Sequence, residues 1–232
     1  MITKAPIAVA LDAPDVETAA RWANAVTPHV TALKVGLELF CRHGPDVVAA
    51  VRGGSRADIF LDLKLHDIPA TVAGATKSVA RLRPRYVTVH ASGGAAMVRA
   101  AVEAAPEITI AAVTVLTSLS ADDLRVLGAT GAPLDAARRL ADIAVGAGAR
   151  ALVCSPQEVA AIRAEVGDEI TLITPGVRPH GAETHDQARF ATPEQALADG
   201  ADLLVIGRPI TAAADPGAAA ARIAAGLAAA RR

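Results

Sequence analysis

Asp62-Leu63-Lys64-Leu65-His66-Asp67-Ile68-Pro69 closes an apolar run that begins at Ile59, and it sets two opposite charges in a segment that otherwise reads as a buried strand. Side chains alternate between the two faces of a strand, so Asp62 and Lys64 share one face while Leu61, Leu63 and Leu65 share the other. Along a regular strand the two charges would stand about 7 Å apart. The leucine face suits packing against helices, which leaves the charged face for the inside of a barrel. Burying charge costs several kcal/mol per ion unless the group is paired and hydrogen-bonded. A structural ion pair beside Lys34 would meet that condition. Three or four charges gathered at a strand end exceed what packing needs, however, and point to a functional site.

The same texture recurs on both sides of this stretch. Short apolar runs rich in β-branched residues lie at Ile7–Leu11, Val30–Val35, Ile59–Leu65, Tyr86–His90, Ile108–Leu116, Ala151–Cys154, Ile170–Thr174 and Leu203–Ile206. Between them come alanine-rich segments with helical spacing: Val16–Val26, Pro45–Val51, Ala70–Arg81, Ala95–Ala104, Leu134–Ala147, Gln157–Val166 and Pro193–Asp199, with Pro216–Arg231 last. Strand-like and helix-like segments in strict alternation predict eight βα units. Strands apolar on both faces belong to a parallel sheet covered by helices. An open flavodoxin-like sheet needs fewer units, so the expected fold is a closed (β/α)₈ TIM barrel. No linker or change in composition divides residues 1–232, which therefore read as a single domain.

Bulk properties narrow the function classes. The length of 232 residues is close to the roughly 250 of a one-domain barrel. Lys and Arg total 23 against 24 Asp and Glu, and aromatics make up 2% of the chain. Nucleic-acid surfaces need positive excess and stacking groups, so that class is set aside. No apolar run approaches the roughly 20 residues of a bilayer span. The apolar stretch before Asp12 is also too short for the core of a secretory leader. Cys41 and Cys154 form no metal-ligand spacing, and Cys154 reads as a small buried hydrophobe. A cytoplasmic protein fits these observations.

Polar residues collect at the expected strand ends. Asp12 ends the first, Lys34 lies near the end of the second, and Asp62 and Lys64 mark the third. His90 ends the fourth, Thr117 follows the fifth, and Arg178 and Arg208 lie beyond the seventh and eighth. Barrel active sites are built at that end. Each residue also has a plainer reading: Lys34 could snorkel to the mouth, and Asp12 or His90 could cap a turn. In Val205-Ile206-Gly207-Arg208-Pro209-Ile210, a strand leads through glycine and arginine into a helix start. Backbone can approach an anion closely at glycine, and arginine adds a forked cation, as in the phosphate sites of barrels after strands seven and eight. The long polar loop from Thr174 through Gln187 reads as a closing lid, or as an ordinary surface loop.

These residues, taken in order, closely resemble the orotidine 5′-monophosphate decarboxylase family in its compact bacterial form. The resemblance rests on Ala10-Leu11-Asp12, Leu33-Lys34-Val35-Gly36, Asp62 through Pro69, Val89-His90-Ala91, Leu116-Thr117-Ser118, Thr174-Pro175-Gly176-Val177-Arg178 and Ile206-Gly207-Arg208. It runs from about residue 6 to residue 217. What it implies is conversion of orotidine 5′-monophosphate to UMP in pyrimidine biosynthesis, without cofactor or metal. On that basis Lys64 would protonate C6, with Lys34, Asp62 and Asp67 completing a charge network. Asp67 would reach, beside Thr71, into the neighbouring site of a homodimer with shared active sites. Asp12 and Lys34 would hold ribose hydroxyls, and Thr117 and Ser118 the pyrimidine amide edge. Gln187, Gly207 and Arg208 would grip phosphate, with Arg178 close by.

Two other readings use the same residues. Sugar-phosphate lyases of the wider barrel group are similar in an Asp-x-Lys-x-x-Asp strand, and the similarity implies a magnesium-bound enediolate. Thr117-Ser118 and the Pro175-to-Arg178 segment favour orotidylate over that. A non-catalytic nucleotide-binding barrel is the other, but binding alone does not require Asp62, Lys64 and Asp67 together.

Overall fold

The computed structural model describes residues 4–53, 55–178 and 191–230. Eight parallel strands close into a barrel: β1 (Ala5–Ala10), β2 (Val30–Gly36), β3 (Asp58–Leu65), β4 (Tyr86–His90), β5 (Thr109–Val113), β6 (Ala151–Val153), β7 (Thr171–Thr174) and β8 (Leu203–Ile206). Each strand pairs with its sequence neighbour, and β1 with β8 seals the ring through Val9 opposite Ile206. The helices outside the ring are α1 (Val16–Val26), α2 (Leu37–His43), α3 (Asp46–Arg52), α4 (Pro69–Ala80), α5 (Gly94–Ala104), α6 (Ala121–Val126), α7 (Pro133–Gly146), α8 (Val159–Val166), α9 (Pro193–Ala198), α10 (Arg208–Thr211) and α11 (Pro216–Ala230). The expected TIM barrel is the observed architecture. No helix among the described residues is long and apolar enough to cross a membrane.

Local chemistry sets the starts of several helices. The Asp15 side chain accepts the Thr18 N–H at 2.7 Å and caps α1. Ser120 and Asp123 form a reciprocal capping box at the start of α6. Pro69 and Pro193 open α4 and α9, where the missing N–H costs nothing. Two short helices, α2 and α6, lie outside the segments expected to be helical, while α10 begins where the Gly207-Arg208-Pro209 stretch predicts a helix start. In α2 and in α6 a single residue is buried, so neither carries the apolar stripe that marks a longer helix. The fifth strand is shorter than the run Ile108–Leu116. Its partner β6 ends at Val153, whose carbonyl takes the Thr114 N–H at 3.0 Å; beyond it the run has no ladder to join.

Burial separates two cores, as the alternation of side chains demands. Ile7, Val9, Leu33, Val35, Leu61 and Leu63 belong to the large core between sheet and helices. Ala8, Ala32, Phe60, Ala111, Val113, Ala151, Val153, Ile173 and Leu203 form a smaller one inside the ring. Alanines set against large residues let the interior fill without strain. Phe60 meets Tyr86 edge-on, with ring centroids 5.8 Å apart. Lys34 pairs in register with Phe60, and Asp62 with Gly36, so the charges begin at the level of Phe60 and continue beyond this apolar plug along β3.

Candidate active site

Lys34, Asp62 and Lys64 project from β2 and β3 into the open end of the barrel as an alternating row. Lys34 Nζ lies 3.4 Å from Asp12 Oδ1 and 3.3 Å from Asp62 Oδ2. Lys64 Nζ donates to Asp62 Oδ1 at 2.7 Å. The order is therefore Asp12, Lys34, Asp62, Lys64, with each cation against an anion. Lys34 is buried, while Asp12 is exposed at the rim. Burial acts to raise the Asp62 pKa, but Lys34 and then Lys64 outweigh it and hold the carboxyl below its usual value.

The regular spacing of about 7 Å expected for Asp62 and Lys64 is not kept. Lys64 has φ of +50°, and the pairing of β3 with β4 shifts between Leu61 and Leu65. The local turn folds the ammonium back onto the carboxylate two residues earlier. Beside them is a cavity of about 130 Å³ lined by Phe60, Val113, Val115, Thr117, Val153 and Pro175 among others. Its walls are mostly apolar, which strengthens any electrostatic contact made inside.

Other expected site residues fall into distinct groups. Thr117 lines that cavity, and Ser118 follows it, exposed. Gly207 abuts β1: a Cβ there would lie 3.4 Å from Ala10 Cβ, so the turn into Arg208 sits beside the strand that leads to Asp12. Arg208 is exposed at the first position of α10. Arg178 is buried, and its backbone N–H bonds to the Ala191 carbonyl at 2.9 Å. Gln187, and the lid reading for most of its loop, fall outside the described residues.

Asp67 and Thr71 do not join the row. Both are exposed, at the lead-in and first turn of α4, and Asp67 Oδ1 accepts the Ile68 N–H at 2.6 Å. Next to them Ile68 is 66% exposed. An open groove of about 650 Å³ runs alongside, lined by His66, His90, Leu119, Leu127, Leu140 and Ile143 among others. The His66 and His90 rings lie 5.3 Å apart, and burial, His66 and Lys64 push His90 below its usual pKa. Cys154 is buried, and burial raises its thiol pKa, so it is inert packing.

Two residues at the row had no role assigned from sequence. Gly36 is one: a Cβ there would come within 2.8 Å of Asp12 Oδ1 and 2.9 Å of Lys34 Nζ. The missing side chain makes room for that ion pair. Thr88 is the other, fully buried and in contact with both Asp62 and Lys64. Its signal was the inward parity it shares with Tyr86 on β4.

Comparison with known proteins places this geometry among relatives. The Orotidine 5′-phosphate decarboxylase / HUMPS family pattern matches residues 5–223. The chain is 73% identical to the orotidine 5′-phosphate decarboxylase of Thermobifida fusca (strain YX), covering 96% of each chain. It is 61% identical to that of Frankia casuarinae, over 99% of this chain and 90% of the relative. The crystal structure of orotidine 5′-phosphate decarboxylase from Lactobacillus acidophilus superposes with a TM-score of 0.84 at 36% identity, over 96% of this chain and 98% of the other.

Proposed function

The chain belongs to the orotidine 5′-phosphate decarboxylase / HUMPS family, and from that premise we infer that the Asp12–Lys34–Asp62–Lys64 row is the machinery by which it decarboxylates orotidine 5′-monophosphate. The reaction yields UMP and carbon dioxide, a step in pyrimidine biosynthesis. The observation that carries the site assignment is the Lys64 ammonium, fixed 2.7 Å from Asp62 at the edge of an apolar cavity.

The chemistry follows from the charges. The bond from C6 to its carboxylate breaks, carbon dioxide leaves, and the electron pair stays on C6. An ammonium held at that spot stabilises the growing negative charge before it forms a bond, then donates its proton to C6. Lys64 has that part. Asp62, buried and anionic, faces the substrate carboxylate; repulsion between the two is relieved as neutral carbon dioxide departs. Lys34 keeps Asp62 ionised and, with Asp12, reaches the ribose hydroxyls. Thr117 and Ser118 meet the pyrimidine amide edge. Gly207, Arg208 and Gln187 bind the phosphate, with Arg178 beside them, and that remote binding energy orients the ring.

The working unit is a homodimer with shared sites. Asp67 and Thr71 stand exposed away from their own row, flanked by exposed Ile68 and an apolar groove. Exposed apolar surface of this kind marks a contact region, and a two-fold axis would bring each Asp67 to the opposite mouth. Asp67 then completes the charge row from the partner.

Mixing the protein with orotidylate and following the loss of absorbance tests the whole reading. Turnover should persist in the presence of a metal chelator, and Lys64→Ala should end it while UMP still binds. Loss of activity on chelation would favour the magnesium-dependent lyase chemistry. Near-normal turnover in Lys64→Ala would remove Lys64 as the proton donor.

A further inference from the structure

Thr88 is 0% exposed in the middle of β4, on the inward face. A valine would fill the same volume without a polar atom, so a hydroxyl buried here needs a reason. The reason lies in the neighbouring strand. β3 and β4 pair at Leu61 with Val87 and next at Leu65 with Val89, so four steps along β3 match two along β4. The excess is a bulge, and such irregularities re-aim side chains. Lys64 absorbs it with φ of +50°, a left-handed conformation that long L side chains rarely adopt. Backbone in such a region persists only where its surroundings hold it there.

Thr88 is what holds it. The Lys64 N–H donates to Thr88 Oγ1 at 2.8 Å. An amide N–H can only donate, so the hydroxyl is the acceptor in that bond and its own proton is left for another partner. Asp62 Oδ1, 3.1 Å away, accepts it. The same oxygen receives Lys64 Nζ at 2.7 Å. Lys64 backbone, Thr88 hydroxyl, Asp62 carboxylate and Lys64 ammonium thus close a ring, with every donor direction determined.

We propose that Thr88 is a positioning residue for the decarboxylation: its hydroxyl locks the left-handed turn at Lys64 and so fixes the direction in which the ammonium and the Asp62 carboxylate face the nucleotide. This rests on the roles given above to Lys64 and Asp62. The predicted signature is a loss of rate without a loss of binding, because Thr88 touches the reacting groups and not the phosphate or ribose grips.

The test compares Thr88→Val and Thr88→Ser in the full chain, with kcat and KM for orotidylate, UMP affinity and melting temperature measured on each. Thr88→Val should lower kcat about ten- to a hundredfold, the scale for a reacting group displaced by about an ångström. Its UMP affinity should stay within about twofold, as expected when only transition-state contacts are lost. Thr88→Ser, which keeps the hydroxyl, should restore kcat to within about threefold of wild type. Counting sites by UMP titration restricts kcat to folded molecules, so a less stable valine variant still gives an answer. The proposal is overturned if Thr88→Val keeps its kcat, if serine falls as far as valine, or if UMP affinity drops in step with kcat. An inactive Lys64→Ala beside a normal Thr88→Val would reject the positioning role alone, whereas an active Lys64→Ala would reject the proton-donor assignment beneath it.

Discussion

Replacing Lys34 by methionine keeps the length of the side chain and removes the cation that stands between two carboxylates. Lys34 Nζ is 3.3 Å from Asp62 Oδ2, with side-chain exposures of 9% and 14%. At an effective dielectric of about 20, that separation corresponds to an attraction of about 5 kcal/mol. The contact to Asp12 adds little, on the order of 1 kcal/mol or less, because that carboxylate is 53% exposed and screened by water. Against this stands the desolvation of Lys34, which methionine relieves. Removing one partner of a buried pair costs about 3–5 kcal/mol in general. Asp62 keeps Lys64, so the expected loss is somewhat smaller, about 2–3 kcal/mol. For a chain of this size that lowers the melting temperature by about 4–12 °C.

The pH dependence has a definite sign. Asp62 has a depressed pKa in the folded wild type. Its contribution to stability is therefore present above the unfolded value and lost as pH falls through the lower folded one. In Lys34→Met the leading cation is gone while burial still acts to raise the pKa, so the folded variant takes up its proton earlier. The stability gap should be widest near neutral pH and narrow on acidification to about pH 4 and below. Urea melts followed by Trp22, the single tryptophan, which packs against the outer core from α1, measure the gap at both pH values. A gap below about 1 kcal/mol at neutral pH, or one that does not change with pH, would refute the claim that Lys34 holds Asp62 ionised.

Two further outcomes test the ends of the site. Arg208→Ala should reduce kcat/KM for orotidylate by about 2–4 kcal/mol equivalent, the range for charge-assisted contacts. It should affect the nucleoside orotidine far less, and equal losses on both would remove Arg208 from the phosphate grip. Lys64→Ala and Asp67→Asn chains, each nearly inactive alone, should recover about one quarter of wild-type activity when unfolded and refolded together in equal amounts. Half the dimers are then mixed, and each mixed dimer has one site with both lesions and one with neither. No recovery in mixed dimers confirmed by mass would place the whole site within one chain.

The barrel was readable from sequence because short apolar runs and alanine-rich helical segments take turns along the whole chain. The split of Leu61 and Leu63 from Phe60 into outer and inner cores follows the alternation of side chains along β3. The Lys34, Asp62 and Lys64 cluster was visible as charge within apolar runs. Its geometry was not, because the left-handed turn at Lys64 depends on how β4 pairs alongside, and a single strand does not reveal its neighbour's register. Thr88 escaped notice because a threonine in a strand is ordinary; its inward parity could be read from the sequence, but its two contacts could not. Gly36 reads as a strand end until Asp12 and Lys34 are seen against it. The capping box of Ser120 and Asp123 starts α6 although that helix has only Leu124 to bury.

The filled interior of the barrel also decides traffic. Phe60, Tyr86, Ile173 and Leu203 occupy the space beneath the charged row, so a nucleotide has no route through the ring. With the site proposed above, substrate, nucleotide product and carbon dioxide would all pass through the mouth above the row, as would any water that reaches C6. Excluding water from C6 while the bond breaks would then obstruct the same doorway through which UMP departs. On the proposed assignment, a tighter seal around the reacting ring would also be a slower exit for its product.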